Sequence, residues 1–434
     1  MKISLFQGIL IGVFGLGALI GLFVFATYTS KNTGGSTVGT VVIWGTLPSA
    51  GIQATLAAIE QADASLKNVS YVQKDAATLP ADLATAIATG AAPDLILASQ
   101  EELQPLSKFI TLIPQSTLSA STFSGAFIEG ANIFAAPGGA GYFGIPFLVD
   151  PLVLFSNRAI LSSAGIARPP STWEALTGLV PSITTLTPSR QITRGLIALG
   201  TYSNVHDARG ILSALFLQQG VPLSSYAGGG NLIADLGVAA GGRALGPAVL
   251  GFYTQFADPS KLSYTWNASL SDSEQAFLAG DLALYLGYVS ESRYLRAANP
   301  NLDFGVSALP QPAIAGAKGA YGLIYGFMFP NGAKNSAGAY QTAVLLTTAA
   351  DQVAAATNTG LAPATLTPLS SQPSDPTTAV AYAEALYTRG WLSPAAVDTD
   401  TVFSSMIGNV ISGRSTLENS LTSAERTLTS LLQK

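Results

Sequence analysis

The sequence predicts an α/β chain of two lobes, with parallel strands covered by helices. Three observations carry this. Strand-like and helix-like stretches alternate from Thr40 to Ser99. The chain has 434 residues, too many for one small core. An uninterrupted apolar strand, Leu152-Val153-Leu154-Phe155, stands in the middle of it.

The alternation starts at Thr40-Val41-Val42-Ile43-Trp44, a β-rich run ended by Gly45. An Ala-rich helix follows over 53–66, then a strand over 69–72. A helix over 80–89 is closed by Gly90, and Pro93-Asp94-Leu95-Ile96-Leu97 is a third strand. Strands joined by single helices pair in parallel. Ligands in open α/β sheets sit beyond the carboxyl ends of the strands. That places Trp44, Thr46 and Ser99 at a cleft; Trp44 reads equally as a core residue capping the sheet.

Residues 105–144 carry little regular pattern, and Tyr142 and Phe143 re-enter the sheet. Gly144-Ile145-Pro146 is a turn-strand unit before the apolar strand. Asp150 between them either accepts hydrogen bonds from a ligand or caps the Pro151 turn. Ala159 to Ala164 is an amphipathic helix stopped by Gly165. Ser171, with Glu174 three residues on, has the spacing of a capping box. A strand over 195–199 leads into the polar loop Thr201-Tyr202-Ser203-Asn204, which puts Tyr202 and Asn204 at a second cleft edge. Tyr264-Thr265-Trp266-Asn267 is a further aromatic and amide loop. Glu274 to Ala279 is a helix capped by Gly280, followed by an apolar strand reaching Tyr288. Tyr321 to Pro330 is a strand bearing Tyr321 and Tyr325. A helix opens at Lys334-Asn335-Ser336, and 418–432 shows the i, i+3, i+4 apolar spacing of a C-terminal helix.

Composition excludes several functions. Net charge is −5, which disfavours a nucleic-acid surface. There is no Cys, so there are no disulfides, no thiol chemistry and no acylated Cys anchor. The single His, His206, cannot build a typical zinc site without Cys, and it reads as a helix-start or surface residue. No metal and no cofactor is expected. Ala227-Gly228-Gly229-Gly230-Asn231 is a loop with no following Lys-Ser, so it is no phosphate loop. No HExxH or GxSxG pattern occurs. Mean hydropathy is +0.39, much of it from small residues.

One stretch is long enough to span a membrane. Residues 3–28 carry no charged side chain, with Lys2 before and Lys31 after. At ~1.5 Å per residue they cross ~30 Å of hydrocarbon. The segment is either an uncleaved transmembrane anchor or a signal peptide cut after Val24-Phe25-Ala26. Residues 30–39, SKNTGGSTVG, form a flexible tether.

Several of these runs, in this order, resemble the extracellular solute-binding proteins of ABC importers, family 1, which mostly bind sugars. They are Thr89 to Leu95, Gly144-Ile145-Pro146, Phe155-Ser156-Asn157-Arg158, Ala164-Gly165-Ile166, Ser171-Thr172-Trp173, Glu274 to Leu284, Asn301 to Pro312, Tyr321 to Pro330 and Asn358 to Ala364. The likeness covers nearly everything after Thr40. Two departures stand out. Ser156 interrupts the family's Tyr-Asn-Lys element, and Tyr288 stands near the place of a Trp.

The resemblance implies a two-lobed periplasmic-binding-protein-like fold of type II, with one N-terminal transmembrane helix. Residues 40–155 plus 308–350 form one lobe, and 156–307 plus 351–434 the other. It implies a non-catalytic, membrane-anchored extracytoplasmic protein, or a secreted one if the segment is cleaved after Ala26. The ligand is a polar small molecule, a mono- or oligosaccharide. The partners are ABC permease subunits and, through residues 3–28, the membrane; no nucleic acid is expected. The expected ligand residues are Trp44, Thr46, Ser99, Tyr142, Asp150, Tyr202, Asn204, Trp266, Asn267, Tyr288, Tyr321 and Tyr325. The other readings are a membrane-tethered sensor or adhesion protein without transport, and a glycosidase with two carboxylates ~5–10 Å apart.

Overall fold

The computed structural model describes residues 37–228, 230–240, 243–313 and 318–434. The expected membrane segment, residues 3–28, and most of the tether lie outside the described residues. Among the described residues no helix is long and apolar enough to cross a membrane.

The first half of the fold is the alternation read from the sequence. Strand β1 (Val41–Gly45) leads to helix α1 (Ser49–Ala62), β2 (Val69–Gln73), α2 (Leu79–Ala88), β3 (Leu95–Ser99) and α3 (Gln100–Leu106). β1 pairs in parallel with both β2 and β3. α1 starts four residues earlier than expected, directly after Pro48. Its expected last turn is a separate 3-10 turn, Ala64–Leu66, capped by the Asp63 side chain. The stretch 105–144 holds more structure than its pattern suggested. A helix at Ala120–Ala126 is capped by Ser119, whose hydroxyl accepts from the Thr122 N–H.

The central strand is longer than the sequence pattern implied. β4 (Gly144–Asn157) is one strand of 14 residues, all buried. Neither of its prolines breaks it. Pro146 sits beside a register shift, where Phe147 is the extra residue of a bulge, a position that tolerates a missing N–H. Asp150 therefore lies inside the strand and not at a turn.

The chain then builds the second half. It contains α4 (Arg158–Ser163), α5 (Trp173–Ile183), β5 (Ile192–Ile197), α6 (Ala208–Gln218), the hairpin β6 (Leu223–Tyr226) and β7 (Leu232–Asp235), α7 (Ser273–Ala279), β8 (Leu282–Tyr288), α8 (Glu291–Ala298) and β9 (Phe304–Ser307). The cap of α5 is Thr172, not Ser171. Its hydroxyl accepts from the Ala175 N–H, while the Ser171 carbonyl accepts from the Gln311 N–H. Gly280 ends α7 in the left-handed conformation, φ 84°. β10 (Ala320–Pro330), α9 (Ser336–Leu346) and α10 (Ala349–Thr359) return to the first half, where α10 packs along α1. β11 (Thr388–Arg389) pairs with the start of β10. Helices α11 (Ala396–Ile411) and α12 (Leu417–Leu432) then cover the second half.

The main sheet runs β2-β1-β3-β10-β4-β8-β5. Residues 144–151 of β4 pair with β10, and residues 152–156 pair with β8. One strand thus belongs to both halves. The chain crosses between them three times: along β4, from β9 to β10, and from β11 to α11. The two-lobed α/β fold is built on these crossings.

Candidate functional site

The halves meet where the carboxyl end of β3 faces the start of α6. β3 delivers Ser99, whose side chain and backbone form a reciprocal capping box with Glu102 at the start of α3. That cap fixes Gln100, Glu101 and Glu102, all buried, at the seam between the halves. Gln100 donates to the Gly322 carbonyl and accepts from the Ile324 N–H, which welds α3 to β10.

Opposite stands Arg209, in the first turn of α6. Its guanidinium donates to Glu101 Oε2 at 2.8 Å and to Asp400 Oδ2 of α11 at 2.7 Å. Tyr321 of β10 donates its hydroxyl to Glu101 Oε1. Tyr202 donates to the other Asp400 oxygen at 2.6 Å. The side chain of Glu101 is 5% exposed, that of Arg209 22% and that of Asp400 44%. Burial works against the Arg209 charge, but Glu101 and Asp400 override it and hold the guanidinium protonated. A carboxylate from the first half is therefore locked to a cation of the second, and two phenols close the network.

Behind this network the β4 crossing carries Asp150. Its Oδ1 accepts from the Ser290 N–H at 3.1 Å, at the turn between β8 and α8. Burial pushes the Asp150 carboxyl up to about 7, against the pull of the Ser290 bonds. Glu102 is also pushed up to about 7, first by burial and then by the neighbouring Glu101 charge. Burial likewise raises the Tyr288, Tyr321 and Tyr325 hydroxyls well above the usual range. All three phenols stay protonated, and that of Tyr321 donates to Glu101.

Two grooves flank the seam on either side of residues 389–398. One, of about 420 Å³, lies between Asn132, Leu217, Tyr226 and Trp391. The other, of about 690 Å³, lies between Gln104, Asn231, Asp398 and Leu432. Tyr226 at the tip of the β6–β7 hairpin borders both and is 39% exposed.

The expected ligand residues divide into three groups. Ser99, Asp150, Tyr202, Tyr288, Tyr321 and Tyr325 gather at or beside the seam. Trp44 and Thr46 stand half-buried at the carboxyl end of β1, with Lys74 Nζ 3.9 Å from the Trp44 ring centre. The others make packing or loop contacts. Tyr142 is buried with its ring stacked on Phe123 at 4.0 Å. Trp266 is 1% exposed. Asn204 donates to the carbonyls of Asn267 and Leu270, and Asn267 donates to the Tyr264 hydroxyl. The two Asn204 bonds tie one loop to another, and the Asn267 bond braces the second loop internally. Glu101, Arg209 and Asp400 were not expected at the site. The only local signal was Gln100-Glu101-Glu102, two acids directly after a strand end.

The sequence profile of the bacterial extracellular solute-binding proteins matches residues 49–353. The chain belongs to this family. The bacterial extracellular solute-binding proteins bind ligands and do not transform them, so the chain is a binding protein and not an enzyme. No curated protein sequence matches it. Solved structures share its fold. The cyclic α-maltosyl-1,6-maltose binding protein from Arthrobacter globiformis is 14% identical, with a TM-score of 0.73 over 91% of this chain and 99% of that one. A cyclo/maltodextrin-binding protein complexed with maltotetraose is 15% identical, with a TM-score of 0.72 over 93% and 99%. The GacH receptor of Streptomyces glaucescens is 16% identical, with a TM-score of 0.66 over 91% and 98%. At these identities the likeness speaks for the fold alone.

Proposed function

We propose that this solute-binding protein is the membrane-anchored, extracytoplasmic component of an ABC importer, and that its solute is a mono- or oligosaccharide held between the lobes. The observation that carries the reading is the seam. Side chains of both halves converge there, and their hydroxyl and carboxylate groups are of the kind that exchange internal hydrogen bonds for those of sugar hydroxyls. The seam's one guanidinium is already neutralised, which favours an uncharged ligand. The flanking grooves, with the Tyr226 ring at their border, offer further surface for a saccharide beside the seam. Binding partners named for similar folds, maltotetraose and acarbose among them, fit this chemistry.

The ligand residues of this reading are Ser99, Glu101, Asp150, Tyr202, Arg209, Tyr288, Tyr321, Tyr325 and Asp400, with Trp44 and Thr46 at the outer edge. The lobes swing on the three crossings, and the ligand favours the shut form because only that form lets it touch both. Residues 3–28 hold the body at the membrane, and the shut form docks on the permease.

The test is a melting screen of the full chain in detergent against maltotriose, maltotetraose, mannotriose, amino acids and polyamines. A ligand at a hundredfold over its Kd stabilises by about 2.7 kcal/mol. A rise with one class of saccharide is the expected result. A rise only with polyamines or amino acids overturns the carbohydrate reading, and silence across the panel favours a sensor or adhesion role.

A further inference from the structure

Beside the seam, a second cluster of polar side chains converges on the other half of the sheet. His206 and Asp207 end the loop before α6, and Glu291 opens α8. One imidazole nitrogen and one oxygen from each carboxylate lie within 4.8 Å of one another. Two more acids flank the ring: Asp272 Oδ1 lies 3.6 Å from Nδ1, and Glu274 Oε2 lies 3.7 Å from Nε2. Four carboxylates thus surround one imidazole, which supplies at most one positive charge.

Two details set this cluster apart from a chance meeting of surface acids. The Asp207 Oδ2 oxygen is buried and accepts from no N–H or hydroxyl group among the described residues; the partner of the Asp207 carboxyl is the Glu291 carboxyl. Glu291 is held in place from behind: the Tyr285 hydroxyl donates to Oε2, and the Tyr288 N–H donates to Oε1 at 2.5 Å. Each oxygen keeps a lone pair free. Outer hydrogen bonds of this kind orient the carboxylates that ligate metals. The His206 side chain is 43% exposed, which leaves a way in from solvent.

We propose that His206, Asp207 and Glu291 form a binding site for a divalent transition-metal ion, with Glu274 and Asp272 as the neighbouring anions that attract it. One imidazole with carboxylates is a donor set for Zn²⁺ or Mn²⁺. It differs from the Cys- and His-rich zinc site that the composition excludes. Ligand bonds of ~2.0–2.2 Å require the three side chains to draw in by roughly 1 Å. The ion ties the start of α6, which carries Arg209, to the turn between β8 and α8, which bonds Asp150. The competing arrangement is a proton shared by the Asp207 and Glu291 carboxyls, which meet at hydrogen-bond distance.

His206 is the sole histidine, so its ring gives the one imidazole signal in a carbon–proton NMR spectrum of the full chain. The experiment strips the protein with chelator and titrates ZnCl₂, with no sugar present. The expected result is a saturable shift of that signal at one equivalent, with a rise in melting temperature. Asp207→Asn weakens the affinity at least about tenfold, and His206→Ala removes the thermal stabilisation. His206 is exposed, so its variant folds even if Glu291→Gln, which loses the bonds to Tyr285 and Tyr288, does not. A His206 signal unmoved by a hundredfold excess of Zn²⁺ overturns the proposal. So does an equal affinity in Asp207→Asn, which marks binding to a lone imidazole. Neither outcome bears on carbohydrate binding.

Discussion

Arg209→Met should open the lobes. In the shut form the substitution leaves Glu101 buried and without its cation, 5% exposed with only the Tyr321 hydroxyl as a partner. Breaking a buried ion pair by removing one member costs about 3–5 kcal/mol. The retained Tyr321 bond argues for the lower end. The Asp400 contact is 44% exposed on the acid side and adds under about 1 kcal/mol. In the open form both groups meet water and the loss is small. The open–shut equilibrium therefore moves by about 3 kcal/mol, on the order of a hundredfold.

Small-angle X-ray scattering without ligand reads this shift directly, as a larger radius of gyration for the variant than for the wild type. Saccharide affinity falls with the population of the shut form. The double variant Glu101→Gln/Arg209→Met removes both charges and should recover most of the loss, with a coupling of about 2 kcal/mol. A variant as compact as the wild type, or single effects that add within about 0.5 kcal/mol, refutes the reasoning.

Other outcomes follow from the same structure. Burial holds the Glu102 carboxyl at about 7, above its ordinary 4.5, so the native state binds its proton more tightly. Its contribution is full below pH 4.5 and is lost as pH rises to about 7, up to ~3 kcal/mol. Urea midpoints should fall over that window in the wild type, and less in Glu102→Gln. Leu154→Ala, in the fully buried β4, should destabilise by about 2–5 kcal/mol in urea unfolding. At Gly322 a Cβ would stand 2.6 Å from the Asp150 carbonyl and 2.8 Å from Pro151 Cα, both main-chain atoms. Gly322→Ala should therefore lower the melting temperature, whereas Gly178→Ala, where a Cβ meets nothing within 4 Å, should not.

Local chemistry made most of the first half legible. The spacing of strands and helices from Thr40 to Ser99 specifies the parallel pairing of β1, β2 and β3, but not that β1 lies between the other two. Gly280 announces its own helix end, because a left-handed residue there favours glycine. What failed locally failed for identifiable reasons. Pro146 and Pro151 read as breaks, yet a bulge absorbs the first, so β4 runs unbroken. Ser171 and Thr172 are equally good caps in isolation, and the Gln311 contact decides between them. The seam was the least legible part. Glu101 and Arg209 are 108 positions apart, and Arg209 and Asp400 are 191 apart. Only the three crossings bring them together. Trp266 and Tyr142 look like ligand aromatics in a list of residues, but an aromatic in the core has the same local signature as one in a cleft.

The most direct test of the account is a calorimetric titration of the full chain with neutral tri- and tetrasaccharides, comparing the wild type with Tyr202→Phe and Asp400→Asn. The account predicts saturable binding at one site per chain, weakened about tenfold in Tyr202→Phe, which loses its charge-assisted bond to Asp400, and by less than about fivefold in Asp400→Asn, whose half-exposed contact with Arg209 is worth under about 1 kcal/mol. Saccharide binding of undiminished affinity in both variants would place the ligand outside the seam and contradict it.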